Sequence, residues 1–430
     1  MNVWFYTFGC KVNQYETELL KQGFEKRGHS AVLSSDSADV CVINTCTVTA
    51  QSDIKLRQLI RRLRRENPAA VIALCGCHPQ AHGESSETTS EADVIAGTEN
   101  KQRLPELVES FIETRCKTVE ILPTRRDYPE SEALIHGSRK TRGIIKIQDG
   151  CDRFCSYCII PYARGRSRSK PLEAISSEAK TLVEAGHKEI VAVGINLSDY
   201  GKGTGVNIAD AVEAILNSGA VRVRLGSLEP EELTEDIIDR LAGLRGLCPH
   251  FHLALQSGCN KTLREMRRKY TAERYRELVE HLRKRFPNCS VTTDIMVGFP
   301  GETDEDFNES LGFVKEIAFA DGHIFPFSPR NGTPAASRSD QVPEEIKAKR
   351  AQIMARAVEE SRDSYLDSLV GQELQVIFER EKSPDFHQGH SEGYQLVKVK
   401  HFTDTLFREL RSVKIISAES GCLFGEIVQR

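Results

Sequence analysis

The chain is predicted to be an α/β protein in three parts: an N-terminal parallel α/β domain, a central partial (βα)6 barrel and a small C-terminal all-β barrel. Three observations carry the prediction. Apolar strand runs alternate with helical periodicity over about residues 1 to 120. The alternation resumes, six units long, over about residues 138 to 368. Residues 369 to 430 hold only short alternating strands. Strand–helix alternation implies parallel sheets, because a parallel pair needs a crossover connection.

In the first part, Val3 to Phe8 is an apolar strand that ends in Gly9-Cys10. Tyr15 to Arg27 reads as a helix with Gly28 as its stop signal. Val40 to Ile43 is a second strand, followed by Asn44-Thr45-Cys46. Ser52 to Asn67 is a helix with Leu56, Leu59, Ile60 and Leu63 on one face, ended by Pro68. Val71 to Leu74 is a third strand, leading to Gly76-Cys77, and Asp93 to Ile95 is a fourth, leading to Ala96-Gly97. Ligand groups in parallel sheets gather at the carboxyl ends of the strands. Cys10, Cys46 and Cys77 each lie just past a different strand and are expected to converge as three thiolate ligands of a cluster. Three unrelated buried cysteines are the plain alternative. Cys41 sits inside a strand and is assigned to the core. Cys75 competes with Cys77 as a ligand, and Cys77 is preferred because it follows the strand-end glycine. The second helix also carries Lys55, Arg57, Arg61, Arg62, Arg64 and Arg65 against only Asp53 and Glu66. That is either a surface for phosphate or a solvated helix face.

Basic residues Arg139, Lys140 and Arg142 lead into the second part. Its strand candidates are Gly143 to Gln148, Glu189 to Gly194, Val221 to Ser227, His250 to Ser257, Ser290 to Phe299 and Gly322 to Phe327. Helices separate them, among them Leu172 to Ala185, Asp210 to Asn217, Ala272 to Arg285 and Asp304 to Ile317. Chemistry on such barrels sits in the loops after the strands. The loop after the first strand holds Cys151, Cys155 and Cys158 at the spacing C-x3-C-x2-C. Thiolates hold iron–sulfur clusters, and three of them leave one iron of a four-iron cluster open. A zinc knuckle is the competing reading, but zinc sites present C-x2-C pairs or a histidine partner, and neither follows here. Glu229, Gln256 and Asp294 are polar side chains on apolar barrel strands or at their ends, where they need partners, and they are assigned as cofactor contacts. Arg164, Arg166, Arg168 and Lys170 form the densest cationic run near the cysteine loop and are expected to hold phosphates. No side chain stands out as an acid, base or nucleophile.

The third part follows a charged helix at about Pro343 to Leu369. Its strands are Glu373 to Phe378, Tyr394 to Val399, Val413 to Ile416 and Leu423 to Val428. Small β modules of this kind often close into barrels, some of which bind oligonucleotides.

Composition bounds the rest. The 430 residues carry a net charge of −4, so any nucleic-acid binding must come from local patches. Thirteen cysteines, with no secretory signal or membrane-length apolar run, point to a cytoplasmic protein that uses thiols for metal or catalysis.

Together, two three-cysteine sites, a partial barrel and a terminal β module resemble the radical S-adenosylmethionine (SAM) methylthiotransferase family. The likeness covers nearly the whole chain. Its carriers are Thr7-Phe8-Gly9-Cys10-Lys11-Val12-Asn13-Gln14-Tyr15-Glu16-Thr17, Asn44-Thr45-Cys46-Thr47-Val48-Thr49 and Gly76-Cys77. Further carriers are the Cys151–Cys158 stretch, Ile160 to Ser169, Leu255-Gln256-Ser257-Gly258 and Phe327 to Ala335. The resemblance implies two [4Fe–4S] clusters, SAM, and a C-terminal TRAM domain that binds RNA. It implies that the cluster on Cys151, Cys155 and Cys158 binds and cleaves SAM to a 5′-deoxyadenosyl radical. The cluster on Cys10, Cys46 and Cys77 would carry the sulfur to be transferred. An electron donor such as flavodoxin or ferredoxin is implied as well. Gly9-Cys10-Lys11-Val12-Asn13-Gln14-Tyr15-Glu16 is most similar to the branch acting on N6-threonylcarbamoyladenosine at position 37, in the anticodon loop of tRNA. The isopentenyladenosine branch and the ribosomal-protein branch are the alternatives within the family. Outside it stand a radical SAM enzyme of other chemistry with structural N-terminal cysteines, and a non-catalytic iron–sulfur RNA-binding sensor. Two departures from the family pattern are Asn331, where proline is usual, and Cys259, where serine is common.

Overall fold

Continuous apolar runs at the first strands demand burial on both faces, and the computed structural model places them so. It describes residues 1–83, 89–129, 133, 140–381, 383–401 and 405–428. Arg139 of the basic linker lies outside the described residues. The chain divides into two units.

The first unit comprises Met1–Ile135, Gln148–Lys170 and Ser328–Ser337. Its sheet is parallel, in the order Ser30–Val32, Asn2–Thr7, Val40–Thr45, Val71–Gly76, Val94–Ala96, Thr118–Glu120. The central strands Val40–Thr45 and Val71–Gly76 are buried at every residue, as parallel sheets covered on both faces require. Alternate residues feed two cores. Val3, Val42, Ala73 and Cys75 pack with Leu20, Phe24 and Val108. Cys41, Ile43, Ile72 and Leu74 pack with Leu56, Ile60 and Leu63. Lys11–Lys26 and Ala50–Glu66 are the covering helices. The first begins four residues before the apolar periodicity does, because Lys11, Asn13 and Gln14 are polar. The edge strands Ser30–Val32 and Thr118–Glu120 were not expected. At three residues each they are too short to show a period.

By their contacts, residues 148–170 and 328–337 group with this first unit. Gln148–Asp149 pairs antiparallel with Arg168–Ser169 and closes the cysteine loop on itself. The loop's charged side chains are then buried against the N-terminal sheet, as described below.

The second unit comprises His136–Ile147, Pro171–Phe327 and Arg338–Arg430. Its parallel strands are Gly143–Lys146, Glu189–Val193, Arg222–Leu225 with its continuation Ser227–Leu228, His250–Leu253, Ser290–Val297 and Asp321–Pro326. They neighbour one another in chain order with helices between, which is a partial barrel. Glu344–Ser368 leads to a closed five-stranded barrel in the order Glu373–Phe378, Phe386–Ser391, Leu396–Lys400, Cys422–Ile427, Leu410–Glu419. Phe386–Ser391 escaped the sequence because its inward residues are His387, Gly389 and Ser391 rather than apolar side chains.

A buried carboxylate ties this β barrel to the first barrel strands. Glu189 accepts from Arg142 Nε at 3.0 Å, Arg222 Nε at 2.6 Å and Arg224 Nε at 2.8 Å. The same guanidinium groups donate onward, Arg222 to the Gln375 carbonyl at 2.8 Å and Arg224 to that of Ser391 at 3.0 Å. Burial alone would raise the Glu189 pKa, but the three arginines outweigh it and hold the carboxyl far below its usual range. A depressed pKa stabilises the fold above the ordinary carboxylate range, and that stability is lost as pH falls toward the folded value. Glu189→Ala is expected to destabilise this unit by about 3–5 kcal/mol, because it strands buried charges. Calorimetry against pH should show a lower thermal midpoint at pH 7 and a shallower acid limb than in the wild type.

Candidate metal centre

The strand ends of the first unit come together through two glycines. Gly9 has φ +93°, and a Cβ there would sit 2.7 Å from Cys46 Cβ and 2.8 Å from its Sγ. Gly76 has φ +101°, and its Cβ would meet Asn44 Oδ1 at 2.6 Å and the Thr45 carbonyl at 2.7 Å. Both positions favour glycine twice over, by conformation and by space. Asn13 fastens the turns, its Nδ2 donating to the carbonyls of Phe8 at 2.8 Å and Thr45 at 2.9 Å. The Cys10 thiol lies 3.8 Å from Asn13 Oδ1.

These contacts bring Cys10, Cys46 and Cys77 within electrostatic reach of one another. Burial raises the Cys46 pKa, and the charge of Cys10 adds to the rise. Burial pushes Cys77 up to about 12; Arg164 opposes the rise, while Cys46, Glu16 and Cys10 add to it. A soft metal binding here displaces those protons. Cys75 is also pushed up to about 12 by burial, but its side chain packs in the apolar core with Val3 and Leu20. Cys41 packs in the opposite core.

An outer shell steadies the residues beside these thiols. Arg330 donates to Thr47 Oγ1 at 2.6 Å and pairs with Asp53 at 2.8 Å. Asp53 also lies 2.9 Å from His78 Nδ1. Thr47 follows Cys46, and His78 follows Cys77. Burial works to raise the Asp53 pKa, yet the hydrogen bonds from His78 and Arg330 hold it below the usual value. Sequence reading missed Arg330 in this role. Its signal was a charged residue inside the Phe327–Ala335 motif.

The second cysteine set lies in the same unit. Cys151 N donates to the Gly165 carbonyl at 3.0 Å, and Cys158 N to that of Cys155 at 3.0 Å. Cys155 is buried, while Cys151 and Cys158 are half-buried. Phe154 inside the loop takes φ +49°, a conformation costly for an aromatic residue and kept only where the surroundings impose it. Its ring meets Tyr162 edge-on at 5.6 Å.

The cationic run after this loop does not face solvent as expected. Arg164 and Lys170 are each 1% exposed and Arg168 8%. Arg168 pairs with Glu99 at 2.9 Å, and Lys170 donates to the Tyr15 hydroxyl at 3.1 Å. These side chains have protein partners and are withdrawn as phosphate ligands. Arg166 alone of the four is open, at 65% exposure. On the helix Ala50–Glu66, Arg64 is drawn into a pair with Asp93 at 2.9 Å, whereas Lys55, Arg61 and Arg65 stay exposed.

The proposed cofactor contacts all lie in the second unit. Gln256 takes φ +64° and exchanges backbone hydrogen bonds with the strand Ser290–Val297: its N donates to the Asp294 carbonyl, and Met296 N donates to its own. Gln256 Oε1 is buried without a hydrogen-bond partner among the described residues. Asp294 lies 3.2 Å from His252 Nε2, and Glu229 pairs with Arg268 at 2.8 Å. An orphaned acceptor at a barrel strand end fits a ligand carrying an amine or adenine donor, as SAM does. The thiol triads likewise suit iron–sulfur clusters in the chemistry of their donors.

Residues 145–314 match the Radical SAM superfamily, and residues 2–97 match UPF0004, an uncharacterized protein family. The chain is 37% identical to threonylcarbamoyladenosine tRNA methylthiotransferase MtaB of Bacillus subtilis, over 96% of this chain and 93% of that protein. It is also 37% identical to tRNA-2-methylthio-N(6)-dimethylallyladenosine synthase of Pelotomaculum thermopropionicum, over 91% and 90%. A radical SAM methyltransferase, TsrM from Kitasatospora setae, shares the fold at a TM-score of 0.57 and 15% identity, covering 78% of this chain and 75% of that one. With near-complete coverage at this identity, the chain belongs to the radical SAM methylthiotransferase family.

Proposed function

We propose that this enzyme methylthiolates carbon 2 of the adenine in N6-threonylcarbamoyladenosine at position 37 of tRNA. The reading is supported by two cysteine sets in one unit: Cys10, Cys46 and Cys77, each just past the end of a different strand, and Cys151, Cys155 and Cys158 in a closed loop. Each set would hold a [4Fe–4S] cluster. When bound, the clusters and SAM supply radical cleavage and a transferable sulfur, which an unactivated C–H bond needs. The chain's residues do the rest. Asn13, Gly9 and Gly76 hold the first thiols in register, while Gln256, Asp294 and Glu229 would orient SAM.

RNA is held by exposed cations, with Lys55, Arg61, Arg65 and Arg166 as candidates. The C-terminal barrel adds an RNA-binding module. The substrate base is read splayed out of the anticodon loop, as single-stranded bases are. A pocket of about 570 Å³, lined by Tyr162, Asn331, Thr333, Pro334 and Ser337, is large enough to receive it. That pocket adjoins the cysteine loop, since Ala335 N donates to the Ser156 carbonyl at 2.8 Å. A flavodoxin or ferredoxin supplies electrons, and the reaction is cytoplasmic. Among the described residues no helix is long and apolar enough to cross a membrane.

The threonylcarbamoyl assignment rests on Gly9 to Glu16. The isopentenyl derivative is the second reading, favoured by the equal identity to a relative of that name. Nucleoside mass spectrometry of tRNA from a strain lacking the gene, with and without complementation, separates them. Loss and return of the methylthio form of threonylcarbamoyladenosine is expected. A change confined to the isopentenyl derivative reassigns the branch, and no change in any tRNA nucleoside removes tRNA as substrate.

Cys151→Ala is expected to abolish 5′-deoxyadenosine formation from SAM. Cys46→Ala should retain that cleavage and lose methylthio transfer, so full transfer by this variant would overturn the role given to the first set. Gly9→Ala drives a methyl group into Cys46, and its iron and sulfide content should fall toward that of a single cluster.

A further inference from the structure

We propose that Arg164 is a positioning residue for the first cysteine set. It holds the Cys77 sulfur in place and biases the cluster bound there toward its reduced form. The inference rests on the reading that Cys10, Cys46 and Cys77 hold a cluster, and it concerns a residue that supplies no ligand.

Arginine carries five N–H donors in a rigid fork. Arg164 finds an acceptor for each. Nε donates to Cys77 Sγ at 3.3 Å. Nη1 donates to Glu16 Oε1 at 2.9 Å and Asp149 Oδ1 at 3.1 Å. Nη2 donates to Asn13 Oδ1 at 2.6 Å and Glu16 Oε2 at 3.1 Å. Lysine, with three donors on a single nitrogen, cannot reproduce that arrangement.

The surroundings fix the fork in both directions. Its carbonyl accepts from Arg168 Nη1 at 2.7 Å, and the Ala163 carbonyl accepts from Thr98 Oγ1 at 2.9 Å. Glu16 is further paired with Lys101 at 2.8 Å, and Arg168 with Asp149 at 3.3 Å and Glu99 at 2.9 Å. Arg164, Lys101 and Arg168 therefore face Glu16, Asp149 and Glu99, and Arg125 adds a further cation 3.6 Å from Glu99. The carboxylates are compensated within the network, which leaves the Nε–H to the sulfur. Arg164 also spans the two cysteine sets: it touches Cys77 of the first and Asp149 at the entrance to the loop of the second.

A hydrogen bond to a ligating sulfur and a nearby positive charge both favour the more negative, reduced state of a cluster. The bond should therefore raise the reduction potential of the cluster on Cys77. The other cluster, which Arg164 contacts through no sulfur among the bonds above, should keep its potential.

The test uses full-length wild type, Arg164→Lys, and a reference with Cys10, Cys46 and Cys77 all replaced by alanine. Each is loaded anaerobically with iron and sulfide. Iron and sulfide per chain are counted, and reductive titration is followed by electron paramagnetic resonance. In Arg164→Lys the midpoint potential that is missing from the reference should shift downward, with the other unchanged. Selective loss of that same cluster also supports the proposal, as a failure of positioning. Methylthio transfer should fall about 10–100-fold, in the range of other outer-shell substitutions. Two unchanged potentials at full occupancy overturn the proposal. Loss of both clusters also overturns it, because Arg164 would then support the fold in general. Iron for only one cluster in the wild type overturns the two-cluster reading beneath it.

Discussion

Three thiols just past three strand ends could ligate one cluster only if those ends approach more closely than most side chains allow. That constraint falls on Gly9 and Gly76. A methyl group at Gly9 would strike Cys46, 2.7 Å from its Cβ and 2.8 Å from its Sγ, and one at Gly76 would strike the Asn44 side chain and the Thr45 carbonyl. Closeness has a second consequence, because the backbone groups at crowded turns lose water and need partners. Asn13 supplies two of those bonds with one amide. The polar start of the first helix, which blurred its boundary in the sequence, is what binds the turns together.

Charge in this unit follows from the same crowding. Ionised groups cannot be buried without compensation, so each buried cation comes with acceptors that fix its position. The run Arg164, Arg166, Arg168, Lys170 resembles a phosphate-binding stripe in the linear sequence. In the structure three of its members are internal struts and one reaches solvent. The chain bends at Arg166 between a short helix and a short strand, which turns that residue away from its neighbours. Spacing shows that cations are dense, and only the partners show which of them remain available to RNA.

This difference also accounts for what the sequence disclosed. Strands and their ends were legible because apolar runs and glycines are local signals, and they place Cys10, Cys46 and Cys77 each just past a different strand. The preference for Cys77 over Cys75 rested in the sequence on the glycine at the strand end alone. Cys75 lies inside the strand and packs in a core with Val3 and Leu20, whereas Gly76, at φ +101°, ends the two-residue period and Cys77 opens the next helix. Hidden in the sequence were Phe386–Ser391, whose inward face is polar, and Glu189 with its three arginines. Residues 148–170 follow the first barrel strand in chain order. Their own antiparallel pairing and buried charges group them with the N-terminal sheet instead.

The Asp53, His78 and His82 constellation shows how the outer shell works. A carboxylate and two imidazoles with ligand atoms within 4.8 Å of one another have the composition of a metal site. Arg330 already serves them, with one nitrogen 2.8 Å from Asp53 and another 3.1 Å from His82 Nε2. Burial, His78 and Arg330 all lower the His82 pKa and favour its neutral ring. Asp53 remains the charged partner of the arginine. A second cation would have to displace a guanidinium that also donates to Thr47. The positive charge here is therefore covalent and permanent, and it is spent on fixing Thr47 and His78, the residues that follow Cys46 and Cys77. Arg330 reaches Thr47 directly and His78 through Asp53, while Arg164 bonds the Cys77 sulfur and Asn13, so the surroundings of the thiols are held by guanidinium groups from distant parts of the sequence.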